Sequence, residues 1–155
     1  MGQIVLQFVE GSGFGAALIK WYDRGQYSHV DTVLPDGTLL GARDDSIGSI
    51  AAGVQIRPAS YVAGETVRRV ILPVTDAQET AYYAFLQAQI GKPYNELAIA
   101  AFAAGTTWSS PNSWFCSMLV AYGLQLIKVF NTLSEDATKV APDTLLLLIS
   151  ALFPI

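Results

Sequence analysis

One histidine and one cysteine occur among the 155 residues, and each sits where chemistry would want it. His29 lies in Tyr27-Ser28-His29-Val30-Asp31-Thr32-Val33-Leu34, a β-branched, alternating stretch that predicts a strand. Cys116 lies in Ser113-Trp114-Phe115-Cys116-Ser117-Met118-Leu119-Val120, which predicts the first turn of a buried helix. With Ser113 as N-cap, Cys116 falls at the third helical position. A thiol there meets the positive end of the helix dipole and unpaired backbone N–H groups, and both favour the thiolate. An imidazole within hydrogen-bond reach completes a nucleophilic Cys-His pair. The alternative is plain packing, in which the cysteine is a small core residue and the histidine is structural.

Elements must exist to hold these two side chains, and the composition allows them. The chain is long enough for one domain spanning residues 1–155 with a substantial core. Hydrophobic residues make up 52% and charged residues 14%, which argues against a disordered chain and leaves room for an apolar interface or groove. The net charge is −4 and no Lys/Arg cluster occurs, which argues against nucleic acid as the main partner. A single cysteine forms no internal disulfide and suits a reducing compartment. The first residues lack a basic start followed by a long apolar run, so no secretory signal is read there. The expected location is the cytoplasm as synthesised, with delivery by other machinery as the alternative. The apolar stretches 97–104 and 145–153 are too short to span a bilayer. They read as core helices rather than membrane contacts.

Residues 3–9 alternate and predict a strand. Glu10-Gly11-Ser12-Gly13-Phe14-Gly15 is a Gly-rich turn before a short helix at 16–23; it lacks the Gly-Lys-Ser/Thr ending of a phosphate loop. Residues 29–34 and 38–42 flank Pro35-Asp36-Gly37, a hairpin signal. Further strands are predicted at 53–57 and 67–74, with Arg68 or Arg69 or both facing solvent. Thr75-Asp76-Ala77-Gln78 is a capping box opening a helix of about four turns that Gly91 ends. Apolar helices follow at 94–104, from Ser113 to about Phe130, and from Pro142-Asp143 onward, with polar loops at 106–112 and 131–139. The order is β-α-β-β-β-β-α-α-α-α, an α+β pattern with an antiparallel sheet packed against helices.

Three motifs in this order carry a resemblance: Tyr-Ser-His-Val-Asp-x-Val-Leu-x-Asp-Gly from Tyr27, Gly-Lys-Pro-Tyr-Asn from Gly91, and Trp-Phe-Cys-Ser-x-Leu-Val from Trp114. Together they resemble the NlpC family of papain-like cysteine peptidases. More narrowly they resemble its circularly permuted branch, because His29 precedes Cys116. That branch includes bacterial and phage amidase-like proteins and is related to lecithin:retinol acyltransferase-type enzymes. The resemblance implies a papain-like fold in permuted order, Cys116 as nucleophile and His29 as general base. It implies a thiol protease or amidase, a hydrolase cleaving an amide in a cell-wall-type peptide, with no metal or other cofactor. Tyr94 belongs to one motif and is expected beside the site; Trp114 is expected with it as a substrate-binding residue. Trp21, Tyr22, Tyr27, Trp108 and Phe115 are the other aromatic residues near the motifs.

Two positions depart from the family pattern. The polar residue that orients the imidazole falls near Gly41-Ala42, which has no suitable side chain. If Asp36-Gly37 is a two-residue turn, pairing puts Asp44 opposite His29, and Asp44 is the expected third catalytic residue. Asp31, on the same strand face as His29, is the other candidate. Met118 stands where many relatives have a glutamate. Two rival functions follow: an acyl-chain thioesterase or acyltransferase, and a non-catalytic binding or assembly module on the same fold. The partner is then a peptide or an acyl substrate. Oligomeric state is not encoded in any motif.

Overall fold

The computed structural model describes residues 1–11, 25–104, 112–130 and 137–153. Five strands form one antiparallel sheet: β1 (Gly2–Glu10), β2 (His29–Val33), β3 (Leu39–Arg43), β4 (Gly53–Arg57) and β5 (Thr66–Val74). Their order across the sheet is β4-β3-β2-β1-β5. Four helices follow: α1 (Asp76–Gln89), α2 (Glu96–Ala103), α3 (Cys116–Leu126) and α4 (Pro142–Leu152). The α+β pattern and the antiparallel sheet agree with the alternation of the early segments and the helical periods of the later ones. The predicted helix at 16–23, with Trp21 and Tyr22, lies outside the described residues, as do Trp108, most of the 106–112 loop, and positions 131–136.

Strand β1 is covered on both faces, which its period-2 pattern accounts for. Ile4, Leu6 and Phe8 point toward the helices, where they join Tyr82 and Leu86 of α1 and Leu119 and Leu124 of α3 in the main core. The other face carries a smaller cluster of Val9, Val33, Leu39 and Val62, closed by the 3₁₀ turn Ala59–Val62. On β5, Arg68 and Arg69 are both exposed, and Arg69 donates to Gln7.

Thr75 builds the expected capping box. Its hydroxyl accepts the Gln78 N–H at 3.2 Å, and the Gln78 side chain accepts the Thr75 N–H at 3.0 Å. Gly91, with φ 88°, follows the helix end. Helix α1 is bolted to the sheet by a hydrogen bond of 2.8 Å between the buried hydroxyls of Tyr82 and Thr32. Tyr82→Phe strands the Thr32 hydroxyl in the core. It is expected to lower stability by about 1–3 kcal/mol, read from the midpoint of urea unfolding.

Two helices start later than their sequences predict, for one reason. Pro93 and Asn95 exchange backbone bonds with Trp114, and Tyr94 and Trp114 form a parallel bridge. This long-range pairing keeps both segments extended, so α2 begins at Glu96 and α3 at Cys116. Asn95 caps α2 by accepting the Ala98 N–H at 2.9 Å. Ser113 is not the cap of α3. Phe115 is, and Cys116 is the first helical residue rather than the third. Helix α3 also ends earlier, at Leu126, with Lys128 in the left-handed region at φ 60°.

Helix α4 opens on Pro142 as expected, and Leu145, Leu146 and Ile149 bury its inner face in the main core while Leu147 and Leu152 face outward. Asp143 accepts the backbone N–H groups of Gln26 at 3.0 Å and Tyr27 at 2.8 Å. Those two residues lead directly into β2, so α4 fixes the approach of the histidine strand. No described helix is long and apolar enough to cross a membrane.

Candidate active site

His29 opens β2, and Asp31 follows two residues later on the same face. The geometry is local and tight: His29 Nε2 lies 2.7 Å from Asp31 Oδ1. The Asp31 carboxylate is 1% exposed, and its second oxygen accepts from Arg43 Nη2 at 2.6 Å. Both oxygens are therefore engaged, one by the imidazole and one by a guanidinium. With Nε2 occupied by Asp31, Nδ1 is the ring nitrogen left to face the thiol.

The orienting carboxylate thus comes from Asp31, and Asp44 is not the partner of His29. The cause is the hairpin loop. Leu34 N–H donates to Thr38 O at 2.8 Å, so Pro35, Asp36 and Gly37 form a three-residue loop rather than a two-residue turn. Thr32 pairs with Leu40 and Val33 with Leu39. Continued along the strands, this register sets Arg43, not Asp44, across from His29. The one-residue difference reverses the sheet face of every side chain on β3. Asp44 is exposed, and its charge is felt by Tyr94.

Gly41 belongs to the same arrangement. A Cβ on Gly41 would sit 2.1 Å from Asp31 Oδ1 and 3.1 Å from its Cγ. The carboxylate lies in the space that a side chain at Gly41 would fill. The missing polar residue on β3 and the aspartate on β2 are two sides of one solution. Gly41 therefore no longer speaks for a module that has lost its orienting group.

Helix α3 brings the thiol. Cys116 is 1% exposed, and its N–H belongs to a first turn whose donors lack partners within the helix. His29 and the backbone N–H of Val30 are the groups that favour the thiolate at this sulfur. Burial pushes the thiol pKa up, but the His29 charge, the His29 hydrogen bond and the Val30 N–H outweigh it, with Asp31 opposing; the net shift is downward. For His29, burial and Arg43 push down, while the charges of Asp31 and Cys116 and the Asp31 hydrogen bond push up. The imidazole pKa rises from 6.5 to about 9. Both shifts favour a thiolate beside an imidazolium at neutral pH.

Tyr94 is half-buried, and its phenol senses the charges of Cys116, Asp44 and Arg43. Burial, then the Cys116 and Asp44 charges, raise its pKa well above the ordinary value, so its phenol stays protonated. Trp114, expected in a substrate groove, is instead 7% exposed in the main core. Its indole N–H donates to Gln89 at 3.1 Å, and its ring packs edge-on against Phe85 and Tyr122. Met118 is buried in the same core.

Arg43 gives no signal in the sequence, because a single arginine at the end of a short apolar strand reads as a solvated terminus. Its guanidinium carbon lies 4.3 Å from the centre of the Tyr61 ring, and that of Arg57 lies 4.0 Å from the same centre. Tyr61 donates its hydroxyl to Asp45, which Arg57 also binds, at 3.1 Å to the carboxylate and 2.7 Å to the backbone oxygen.

No protein-family model matches the sequence, and no curated protein matches it. Among the described residues no group of three His, Cys, Asp or Glu side chains is placed to hold a metal ion. What the geometry can do is generate a thiolate, hold an imidazolium against it, and return that proton along a fixed line.

Proposed function

We propose that this protein is a thiol-dependent hydrolase of the permuted NlpC type, a cysteine peptidase or amidase. The proposed substrate is an amide in a bacterial cell-wall-type peptide, a choice that rests on the three sequence motifs. The observation that carries the chemistry is the buried line from Cys116 through His29 to Asp31. Cys116 thiolate attacks the amide carbonyl carbon, forming a C–S bond. The developing oxyanion takes the Cys116 N–H, which is unpaired within the helix. The imidazolium gives its proton to the leaving amine as the C–N bond breaks. Water, deprotonated by His29, then hydrolyses the thioester and regenerates the thiolate.

An acyl-chain thioesterase or acyltransferase is the second reading, favoured by the apolar composition and the Leu145-Leu146-Leu147-Leu148 run. About 340 Å³ of space is lined by Ile50, Ala51, Val54, Ile56 and Ile90 among others. Gly53 in its wall bridges to Pro93, the neighbour of Tyr94. Whether long-chain thioesters or cell-wall peptides acylate Cys116 separates the two.

The test of the shared chemistry is the pH dependence of the thiol, followed by thiolate absorbance and by iodoacetamide alkylation, in wild type and His29→Ala. With one cysteine in the chain, both signals have one source. In wild type the thiol is expected to ionise at a lower pH than a free thiol. In His29→Ala the midpoint is expected to return to about 8.5 or higher, with alkylation at pH 6 slowed more than about tenfold. Equal titrations near the free-thiol value in both proteins would sink the catalytic reading and leave the binding module.

A further inference from the structure

We infer that Arg43 is a positioning residue, seated on Tyr61 and bonded to Asp31, that holds the carboxylate against His29. This rests on the reading of Cys116 and His29 as a catalytic pair.

A carboxylate with one hydrogen-bond partner turns about its Cβ–Cγ bond. A second bond to the other oxygen fixes its plane, and Arg43 supplies that bond at 2.6 Å. Arg43 is itself held. Its guanidinium lies 4.3 Å from the Tyr61 ring centre, a contact that suits a planar, weakly hydrated cation better than an ammonium. Tyr61 is tied through its hydroxyl to Asp45. Asp45 in turn is bound by Arg57, which is almost wholly buried and also packs on Tyr61. The line from His29 to Arg57 thus rests on side chains of β2, β3, β4 and the 3₁₀ turn, with carboxylates of Asp31 and Asp45 balancing the two arginines. Arg57 is buried with its Nε unpartnered among the described groups, while its other two nitrogens bind Asp45.

The charged and titratable groups around His29 come from three elements. Asp31 faces it from its own strand, Arg43 from β3 and Cys116 from α3. Tyr94 senses Cys116, Arg43 and Asp44. Arg43 acts on His29 in two opposite ways. Its charge alone disfavours the imidazolium, while its hold on Asp31 favours it. The sign of the change on removing it therefore separates a positioning role from a purely electrostatic one.

The experiment is NMR of the only histidine in the chain, in wild type and Arg43→Gln, with thiolate absorbance measured in parallel. Wild type is expected to show a slowly exchanging ring N–H and a titration midpoint of about 9. In folded Arg43→Gln the ring N–H is expected to exchange about tenfold faster or more, and the midpoint to fall. An unchanged ring N–H with an unchanged or higher midpoint overturns the proposal. Should Arg43→Gln not fold, Tyr61→Leu removes the seat and keeps the arginine; it is expected to loosen the ring N–H, and full retention overturns the proposal. A wild type with a protected ring N–H and an ionised thiol, beside an unchanged variant, overturns this inference alone. A wild type whose ring N–H exchanges freely and whose thiol titrates like a free one overturns the catalytic reading with it.

Discussion

Asp31→Ala is expected to cost the fold about 3–5 kcal/mol and to move the Cys116 thiol pKa back up toward that of a free thiol. The stability loss follows from what the variant leaves behind. Asp31 is 1% exposed and is bonded by both His29 and Arg43. Without it, the Arg43 guanidinium and the His29 imidazole lose the buried carboxylate that both of them bond. The effect on the thiol is indirect. Burial and Arg43 both lower the His29 pKa, and Asp31 is the main group raising it. Once it is gone, His29 is neutral at pH 7 and no longer supports the thiolate. The charge of Asp31 itself slightly opposes thiolate formation, but it is the smallest contribution at Cys116 and loses to the removal of the imidazolium. Urea unfolding and thiolate absorbance check the two effects separately.

The same substitution is expected to change the pH dependence of stability. Burial raises the Asp31 pKa, but His29 and Arg43 together take it below 3.8. Its contribution is present above that value and is lost as pH falls through the depressed folded value. The acid limb of the wild-type stability curve is therefore steeper than that of Asp31→Ala. On the alkaline side His29 behaves in the opposite sense. Its contribution is complete below 6.5 and is lost as pH rises through about 9.

Gly41→Ala is expected to disable the site with the smallest possible chemical change. Gly→Ala in an unconstrained extended position usually stabilises a protein, by about 0.4–1 kcal/mol. Gly41 has no positive φ, so its backbone would accept alanine. The added methyl would meet Asp31 Oδ1 at 2.1 Å, well inside contact distance. The carboxylate must move by about an ångström, and it cannot do so without loosening His29, Arg43 or both. On the proposed hydrolase reading, a shift of that size in a positioning group costs about 100-fold in rate. The expected outcome is a loss of about 2–3 kcal/mol in unfolding free energy, from the disturbed buried ion pairs, and a thiol ionisation midpoint moved toward that of a free thiol. A stabilised Gly41→Ala with an unchanged thiol would mean that the carboxylate has room to spare.

Much of the scaffold is written in local patterns. The alternation of 3–9, the Thr75 capping box, Gly91 after α1 and Pro142 at the start of α4 are each decided by near neighbours in the chain. The features that escape such reading depend on distant partners. Helices α2 and α3 lose their first turns because Tyr94 pairs with Trp114, and neither segment alone contains that information. In the hairpin, Asp36-Gly37 marks a turn but not its length. The extra loop residue exchanges Asp44 for Arg43 across from His29. At Gly41 an absent side chain reads as an absent orienting group, when it is room for a carboxylate reaching over from the neighbouring strand. His29 and Cys116 were legible because each is the sole residue of its type and each begins an element. Arg43, Tyr61 and Arg57 were not, because their pairing is set only by register and by the 3₁₀ turn.

His29, Asp31 and Arg43 all belong to the β2–β3 hairpin, whereas Cys116 lies far along the chain. The two halves of the site therefore assemble on different clocks. A hairpin closes in about 1–10 μs because its ends are near in sequence. Docking of α3 against β2 waits on contacts that are remote in sequence and slower to form. During synthesis the hairpin is made well ahead of Cys116, so a growing chain carries the imidazole before the thiol. The thiol meets the imidazole only when α3 has been made and has closed over the sheet.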